Sequence, residues 1–151
     1  MKYFTIQELC KTDTKIFNIP GQEERENLVA LIEKILDPIR EEIGRPIIVT
    51  SGYRSKAVNT KVGGSRTSQH VSGQAADITL KPNTDNGKLF AAIKELSKQG
   101  KLIYDQLIWE HGNDSFPSWV HISFKKEGGN RMQILRAKKN YAGKTVYVKI
   151  N

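Results

Sequence analysis

The passage Ser51–Asp77, SGYRSKAVNTKVGGSRTSQHVSGQAAD, is the part of this chain around which the remainder is arranged. It places an arginine, a histidine and an aspartate in a loop-rich region between two strand-like runs, which is an unusual composition for a hydrophobic core. Gly73 lies between His70 and Asp77 and allows the backbone to reverse there. An imidazole and a carboxylate can then converge on one cation. We therefore interpret this passage as one half of a metal site.

A third candidate ligand, His121, lies far along the chain in the run Trp119–Phe124, WVHISF. Strand alternation places His121 on the face opposite its apolar neighbours. Two histidines and an aspartate leave the fourth tetrahedral position of a zinc ion open, as in catalytic rather than structural sites. The set His70, Asp77 and His121 therefore predicts one Zn²⁺ per chain and a hydrolytic reaction, although such ligands also accept cobalt or manganese.

Three motifs carry a resemblance to a known family: Ser51-Gly52-Tyr53-Arg54-Ser55, Ser68-x-His70-x-x-Gly73-x-Ala75-x-Asp77 and Trp119-Val120-His121-Ile122. Together they resemble the family of zinc D-Ala-D-Ala carboxypeptidases and L-alanyl-D-glutamate endopeptidases, which cut peptidoglycan stem peptides and include small phage lysins. The resemblance runs from about Phe4 to about Ala137. It implies a Hedgehog/DD-peptidase-like fold, a zinc peptidase activity and peptidoglycan as the substrate. Whether the chain is an endolysin-type endopeptidase or a D-Ala-D-Ala carboxypeptidase stays open.

The catalytic base is the point at which the chain departs from this family. Better-known members have a glutamate three residues before the second histidine, and that position is Ser118 here. If the strand-like runs 104–110 and 119–124 form an antiparallel hairpin, Glu110 pairs with Trp119 on the same face as His121, about 7 to 8 Å away along the diagonal. We therefore predict that Glu110 is the general base. Asp114 in the hairpin loop is the rival, and a weakened or inactive site, or a salt-bridged structural role for Glu110, remains an alternative.

Four further residues are candidates for contacting the substrate. The resemblance implies that Arg54 polarises the substrate, since a guanidinium can pair with a carboxylate or stabilise an oxyanion; the alternative is an ion pair with an acidic helix residue. Ser68 and Gln69 can donate hydrogen bonds to substrate or cap the turn before His70. Trp119 can line a groove or pack in the core.

The remaining elements predict an α+β fold in which a small, mostly antiparallel sheet packs with helices. Apolar residues spaced three or four apart predict a long helix over 23–43, kinked at Pro38 and ended by Gly44. A second helix around Leu89–Leu96 ends at Gly100. The β-branched run Pro46–Thr50 predicts a buried strand. Two further runs also predict strands, the second of them without an assigned partner: 75–80 and 145–150.

Length and composition indicate a single zinc peptidase domain over residues 1–151, with a basic C-terminal segment at 125–151. The single cysteine, Cys10, cannot form an intrachain disulfide, so the fold does not depend on an oxidising compartment. The N-terminus has no apolar signal-peptide region, and no run is long enough to span a bilayer. We expect a monomer made in the cytoplasm without a signal peptide that acts at the bacterial cell wall, with a phage origin suggested by the resemblance.

The net charge of +8 is concentrated in the basic C-terminal segment, where eight Lys or Arg stand against one Glu. Such a segment attracts anionic polymers with a salt-sensitive affinity. The chain has no recognition helix with a basic stripe and no zinc-finger cysteines, so we expect an anionic cell-wall polymer rather than nucleic acid, and no membrane. A second function class stays open because of Ser118: a non-catalytic, zinc-containing module that binds cell wall or serves as a phage structural component.

Overall fold

The computed structural model describes all 151 residues and has a six-stranded sheet at its centre. The strands lie in the order β1-β2-β4-β3-β5-β6, and every neighbouring pair is antiparallel except β3 and β5, which are parallel. Their bounds are β1 Ile48–Ser51, β2 Ala75–Thr79, β3 Gln106–Glu110, β4 Trp119–Ser123, β5 Gln133–Lys139 and β6 Thr145–Lys149. The predicted α+β class with a mostly antiparallel sheet is confirmed.

Five α-helices accompany the sheet: α1 Ile6–Leu9, α2 Gln22–Leu31, α3 Asp37–Ile43, α4 Lys56–Lys61 and α5 Asn86–Lys98. The predicted long helix corresponds to α2 and α3 joined by a π-helical segment, Ile32–Leu36. Pro38 comes directly after this π-helical segment, where the regular i→i−4 hydrogen-bond ladder is already interrupted. Gly44 ends α3 with a φ of 70°, as predicted. No helix combines the length and the apolar character needed to cross a bilayer.

The hydrophobic core lies between one face of the sheet and the long helical region. The apolar stripe of that region is fully buried at Leu28, Leu31, Ile32, Ile35, Leu36 and Ile39. It belongs to the same core cluster as sheet residues such as Ile78, Leu107, Val120 and Ile122. Because adjacent residues of a strand point to opposite faces, their neighbours in sequence are left for the other face of the sheet. That second face carries the candidate site.

A strand forms in the region predicted at Pro46–Thr50, but the prediction that this strand is buried was wrong. The strand is Ile48–Ser51, its residues are exposed or half-buried, and the side chain of Ile48 is 43% exposed. The reason is sheet order: β1 pairs only with β2 and forms one edge of the sheet. A β-branched run is equally typical of edge and central strands, so composition alone does not determine burial.

The basic C-terminal segment is part of the sheet. The sequence indicated one strand there, without a partner, whereas the structure contains two, β5 and β6. Strand β5 lies parallel to β3, with Leu107 paired to Ile134 and Glu110 paired to Ala137, and β6 pairs with the outer edge of β5. Leu135 and Ala137 are buried against Ile108 in a small second apolar cluster. The segment thus extends the second face of the sheet past β3.

Candidate metal centre and active site

His70 is held by the loop between α4 and β2, and its ring is oriented by a backbone carbonyl. Its Nδ1 lies 2.7 Å from the carbonyl oxygen of Gly52, which can only accept, so Nδ1 carries the proton and donates. The lone pair of Nε2 is therefore left for a ligand. A hydrogen bond of this kind is the usual way in which proteins orient a metal-binding histidine. His70 is only 3% exposed, which excludes a freely rotating surface histidine.

Asp77 and His121 face each other across two neighbouring strands. Strands β2 and β4 pair so that these two residues are directly opposite, and Nδ1 of His121 lies 3.0 Å from Oδ1 of Asp77. Nε2 of His70 lies 3.4 Å from the same oxygen. Burial raises the pKa of the Asp77 carboxyl, but the nearby histidines outweigh it and bring the pKa well below the usual range, so Asp77 is ionised at neutral pH.

The three predicted ligands meet at one point. One ligand atom from each of His70, Asp77 and His121 lies within 4.8 Å of the others. Two imidazole nitrogens and one carboxylate oxygen form a donor set that suits zinc, and the second hydrogen bond of His70 adds the outer-shell support such a site needs. The side chains present therefore fit a zinc ion with one open coordination position.

Gly73 makes the turn that brings His70 back towards β2. Its φ is +71°, a conformation that L side chains rarely adopt. A Cβ at this position would also lie 2.6 Å from the carbonyl oxygen of Glu24 in α2. The neighbouring Ser72 carbonyl accepts a hydrogen bond of 2.8 Å from the side chain of Asn27. The turn is thus pressed against α2, and glycine is required for both its conformation and its packing.

Glu110 ends β3 opposite Trp119, as the hairpin register predicted, and lies in the same cleft as the three candidate ligands. It is only 7% exposed, and this burial raises its pKa to about 7, with His121 opposing the shift and Asp77 adding to it. Ser118, at the position of the family glutamate, donates its backbone N–H to the Glu110 carbonyl at 2.9 Å. A carboxyl group with a pKa near neutrality beside a metal site is suited to proton transfer.

Asp114 does not lie in the cleft. Its side chain is 93% exposed and pairs with Nη1 of Arg136 at 2.7 Å. The hairpin loop directs it to the surface, away from the three candidate ligands. Among the two carboxylates weighed from the sequence, the structure brings only Glu110 to the candidate centre.

Arg54 lies beside the candidate metal centre. Its Nη2 is 3.5 Å from Oδ2 of Asp77, and its Nε donates to the Ser51 hydroxyl at 3.0 Å. Nη1 is 3.4 Å from the side-chain oxygen of Asn59. The acidic partner is therefore a strand residue of the site itself, not a helix residue as the alternative interpretation supposed. Arg54 also lines the cleft, where its remaining donors can reach a bound peptide.

The other predicted contact residues all line the cleft, but two are partly occupied within the chain. The Ser68 hydroxyl accepts from the backbone N–H of His70 at 3.2 Å and so caps the turn. The side-chain amide of Gln69 donates to Asp105 at 2.9 Å. The Trp119 indole lies against the His111 ring, with ring centroids 5.5 Å apart. His111 is thus a cleft residue as well, 3.9 Å from Glu110.

Comparison with known proteins places this geometry in a family. A family model described as peptidase M15 matches residues 2–123. The chain belongs to the peptidase M15 family. A zinc D-Ala-D-Ala carboxypeptidase from Streptomyces albus G is 36% identical over 78 residues, which is 50% of this chain and 30% of that protein. The aligned part thus spans less than a third of the relative, and the predicted family resemblance is confirmed.

One wall of the cleft is formed by residues that lie outside the part of the chain matched by the M15 model. The cleft has a volume of about 760 Å³, and four of its lining residues follow position 123: Arg131, Leu135, Thr145 and Tyr147. None of the four was predicted from the sequence. The strand-like run that contains Thr145 and Tyr147 was the only sequence signal for any of them. Without a pairing partner for that strand, its position relative to the site could not be predicted. The parallel pairing of β5 with β3 brings them to the site.

Proposed function

We propose that this M15 chain is a zinc metallopeptidase that hydrolyses peptide bonds in peptidoglycan stem peptides. The observation that carries the proposal is the meeting of His70, Asp77 and His121 within 4.8 Å, in a cleft that also contains a buried glutamate. Membership of a peptidase family and the carboxypeptidase relative support the reaction class and the substrate. The three side chains are the zinc ligands in this proposal.

Zinc bound there supplies Lewis-acid activation of water and of the scissile carbonyl. The chain's own residues handle the proton: the Glu110 carboxylate accepts it from the attacking water and returns it to the leaving amine. A pKa near 7 suits both directions of this transfer, because neither form is strongly disfavoured at neutral pH. Burial of Glu110 keeps competing solvent away from the carboxylate.

Arg54 stabilises the negative charge that develops on the substrate carbonyl oxygen. Its contacts with Ser51, Asn59 and Asp77 fix the guanidinium before substrate arrives, which is the condition for effective electrostatic stabilisation. Ser68, Gln69 and Trp119 line the same cleft and are the proposed contacts of the bound peptide.

The decisive experiment pairs metal content with turnover on a cell-wall peptide. Wild-type protein is expected to hold about one zinc per chain and to lose activity with a chelator. Glu110→Ala is expected to keep the zinc and to lose turnover by about 10²- to 10⁴-fold, the usual contribution of a general base. The matched control is Asp114→Ala, which removes a carboxylate of the same hairpin outside the cleft and should leave turnover unchanged.

A non-catalytic module gives a different pattern in that experiment. The absence of the family glutamate at Ser118 favours this second candidate, and it requires zinc and wall binding with no turnover in the wild type. Substitution of Glu110 would then change no measured activity. Loss of zinc in Glu110→Ala would instead make Glu110 a ligand and contradict the assignment of the base.

Which stem-peptide bond is cut is a question of products. Incubation with purified sacculi, followed by mass spectrometry of the released fragments, distinguishes the two reactions. A D-Ala-D-Ala carboxypeptidase releases a terminal amino acid, whereas an endolysin-type endopeptidase separates the stem peptide within its chain.

We place the action of this single-domain, monomeric chain at the bacterial cell wall.

The basic C-terminal segment suits an anionic wall polymer. Four of its eight cations are exposed and have no acidic partner: Lys138, Lys139, Lys144 and Lys149. An interaction through them is electrostatic and weakens steeply with salt. Retention of the protein on sacculi at increasing salt measures it, and retention that is independent of salt would contradict this role.

A further inference from the structure

A buried carboxylate next to the cleft, Asp105, has no part in the proposed reaction. Its side chain is inaccessible to solvent and accepts four hydrogen bonds. Three come from Arg131, through Nε at 2.9 Å, Nη2 at 2.7 Å and the backbone N–H at 2.9 Å. The fourth comes from the side-chain amide of Gln69, at 2.9 Å. Because an ionised carboxylate has about four acceptor sites, Asp105 is saturated and cannot bind substrate itself.

The effect of Asp105 is to fix the orientation of Arg131. Burial raises the pKa of Asp105, but the hydrogen bonds from Arg131 and Gln69 outweigh it and bring the pKa far below its usual range, so the carboxylate is ionised. Bidentate pairing fixes the plane of the guanidinium, whereas an unpaired arginine at the surface samples many rotamers. Arg131 nevertheless remains 49% exposed and lines the cleft. Its orientation is thus determined before any ligand arrives.

Hydrogen-bonding capacity is left over on the side facing away from Asp105. A guanidinium has five N–H donors, and Asp105 engages those of Nε and one of Nη2. Nη1 of Arg131 makes no hydrogen bond within the chain, so its two N–H donors are free. The charge is unbalanced as well, because Lys125 also lies 3.6 Å from Asp105, so two cations face one carboxylate. The cluster presents an anion-binding edge to the cleft.

The position of this edge relative to the candidate metal centre follows from the strand register. Asp105 lies three residues before Ile108, which pairs with His121. At about 3.3 Å per residue, this distance along the strand is about 10 Å. About three residues of an extended peptide span that length. A peptide with its scissile bond at the metal centre would therefore bring a carboxylate within three residues of that bond to Arg131.

We infer that Arg131 is a specificity-determining residue that binds a free carboxylate of the peptide substrate, with Asp105 as its positioning residue. This inference rests on the proposed peptidase function. A planar, charged fork matches a carboxylate better than it matches a neutral amide, which can accept but carries no charge. Arg131 lies outside the residues that the M15 model matches, so membership of the family does not by itself imply this preference.

The test uses three versions of one cleavable peptide: both carboxylates free, C-terminus amidated, and side-chain carboxylate amidated. Wild-type kcat/KM is expected to fall by roughly tenfold or more for one amidated version, because a site built to bind a group rejects the analogue that lacks it. The version affected identifies the carboxylate as C-terminal or side-chain. The Arg131→Gln variant is expected to cut the fully free peptide and the affected amidated version at similar rates. The main cause should be a higher KM for the peptide with the free carboxylate.

Matched variants separate recognition from structure. Lys98→Gln removes one positive charge from the exposed end of α5, outside the cleft, and should keep the wild-type preference. Asp105→Asn keeps the shape of the side chain and should raise KM for the carboxylate peptide only. Arg131→Lys retains the charge without the fork and should lose part of the preference, which covers the case in which Arg131→Gln unfolds. Equal cleavage of all three peptides by the wild type, or an unchanged preference in the Arg131 variants, would overturn the inference.

Binding measurements keep this result separate from the proposed reaction. Calorimetry of the three peptides with zinc-loaded Glu110→Gln reports recognition without turnover. A preference for the free carboxylate that depends on Arg131 supports the inference even if the wild type cuts none of the peptides, in which case only the proposed function fails. Cleavage without any such preference has the opposite meaning: the peptidase stands and the role of Arg131 is refuted.

Discussion

At the scale of single residues, the proposed reaction depends on the environment of Glu110. A carboxyl group in water is almost fully ionised at neutral pH and is a weak base. Burial at the end of β3 raises the Glu110 pKa to about 7, which makes the group a stronger base without excluding its ionised form. A divalent cation nearby favours the ionised form and lowers that pKa. The acidic limb of the reaction should therefore lie at or below pH 7.

The pH dependence of kcat/KM tests this. The proposed base, Glu110, would work in its ionised form, so we expect activity above its apparent pKa and a loss of activity as the pH falls through it. We expect a tenfold loss per pH unit on the acidic side, beginning at or below pH 7. In Glu110→Gln the residual activity should lack this limb, and a limb that persists unchanged there would assign the titration to another group.

Local sequence patterns predicted the position of Glu110 but not the pairing of Asp105 with Arg131. The register of Glu110 opposite Trp119 followed from the eight-residue hairpin loop, because a simple closure leaves one pairing. The pair of Asp105 and Arg131 had no such guide, since 26 residues separate them and a loop precedes β5. An isolated Asp or Arg in a sequence has no pattern that names its partner.

At the scale of elements, the turn around Gly73 requires glycine both for its backbone conformation and for its packing against α2. The turn connects His70 to β2, and its close approach to α2 leaves no space for a side chain. The long helical region therefore supports the candidate metal centre from behind, in addition to forming the core. Damage to this turn should affect zinc binding as well as stability.

Gly73→Ala is expected to lower the free energy of unfolding by about 1 to 3 kcal/mol, from strain at positive φ and from the contact with the Glu24 carbonyl. Gly100→Ala is the matched control: its φ is +72° and no atom lies within 4 Å of its Cβ position. Urea unfolding of the zinc-free proteins measures both. The difference between the two variants gives the cost of the contact, and equal losses would show that Gly73 matters only for its backbone conformation.

At the scale of the whole molecule, the basic C-terminal segment is structural as well as charged. Strand β5 covers the edge of β3, and its buried Leu135 and Ala137 pack on Ile108. Strand β6, which pairs with β5, carries Thr145 and Tyr147 to the cleft. A variant that removes the segment therefore tests stability and site geometry together and cannot isolate the role of its charge.

Truncation after Glu127 is expected to destabilise the protein by at least about 3 kcal/mol, comparable with the loss of one large core side chain. The loss follows from exposing Ile108 and leaving β3 as an unpaired edge. Urea unfolding measures it. The control is the full chain with Lys138→Gln, Lys139→Gln and Lys144→Gln, which removes exposed charge alone and should cost about 0.5 kcal/mol or less per site. A truncated chain as stable as the full one would contradict this role.

The sequence by itself determined the candidate ligands, the long amphipathic helix and the hairpin that aligns Glu110 with the site, since each is written in local spacing or in a compact motif. Only the tertiary structure decided that β1 is an edge strand, that β5 lies parallel to β3, and that Arg131 and Tyr147 reach the cleft. The physical reason is that pairing between distant strands depends on which edges remain free once the sheet assembles. Which edges remain free depends on the entire chain, so no local periodicity in the sequence predicts these pairings.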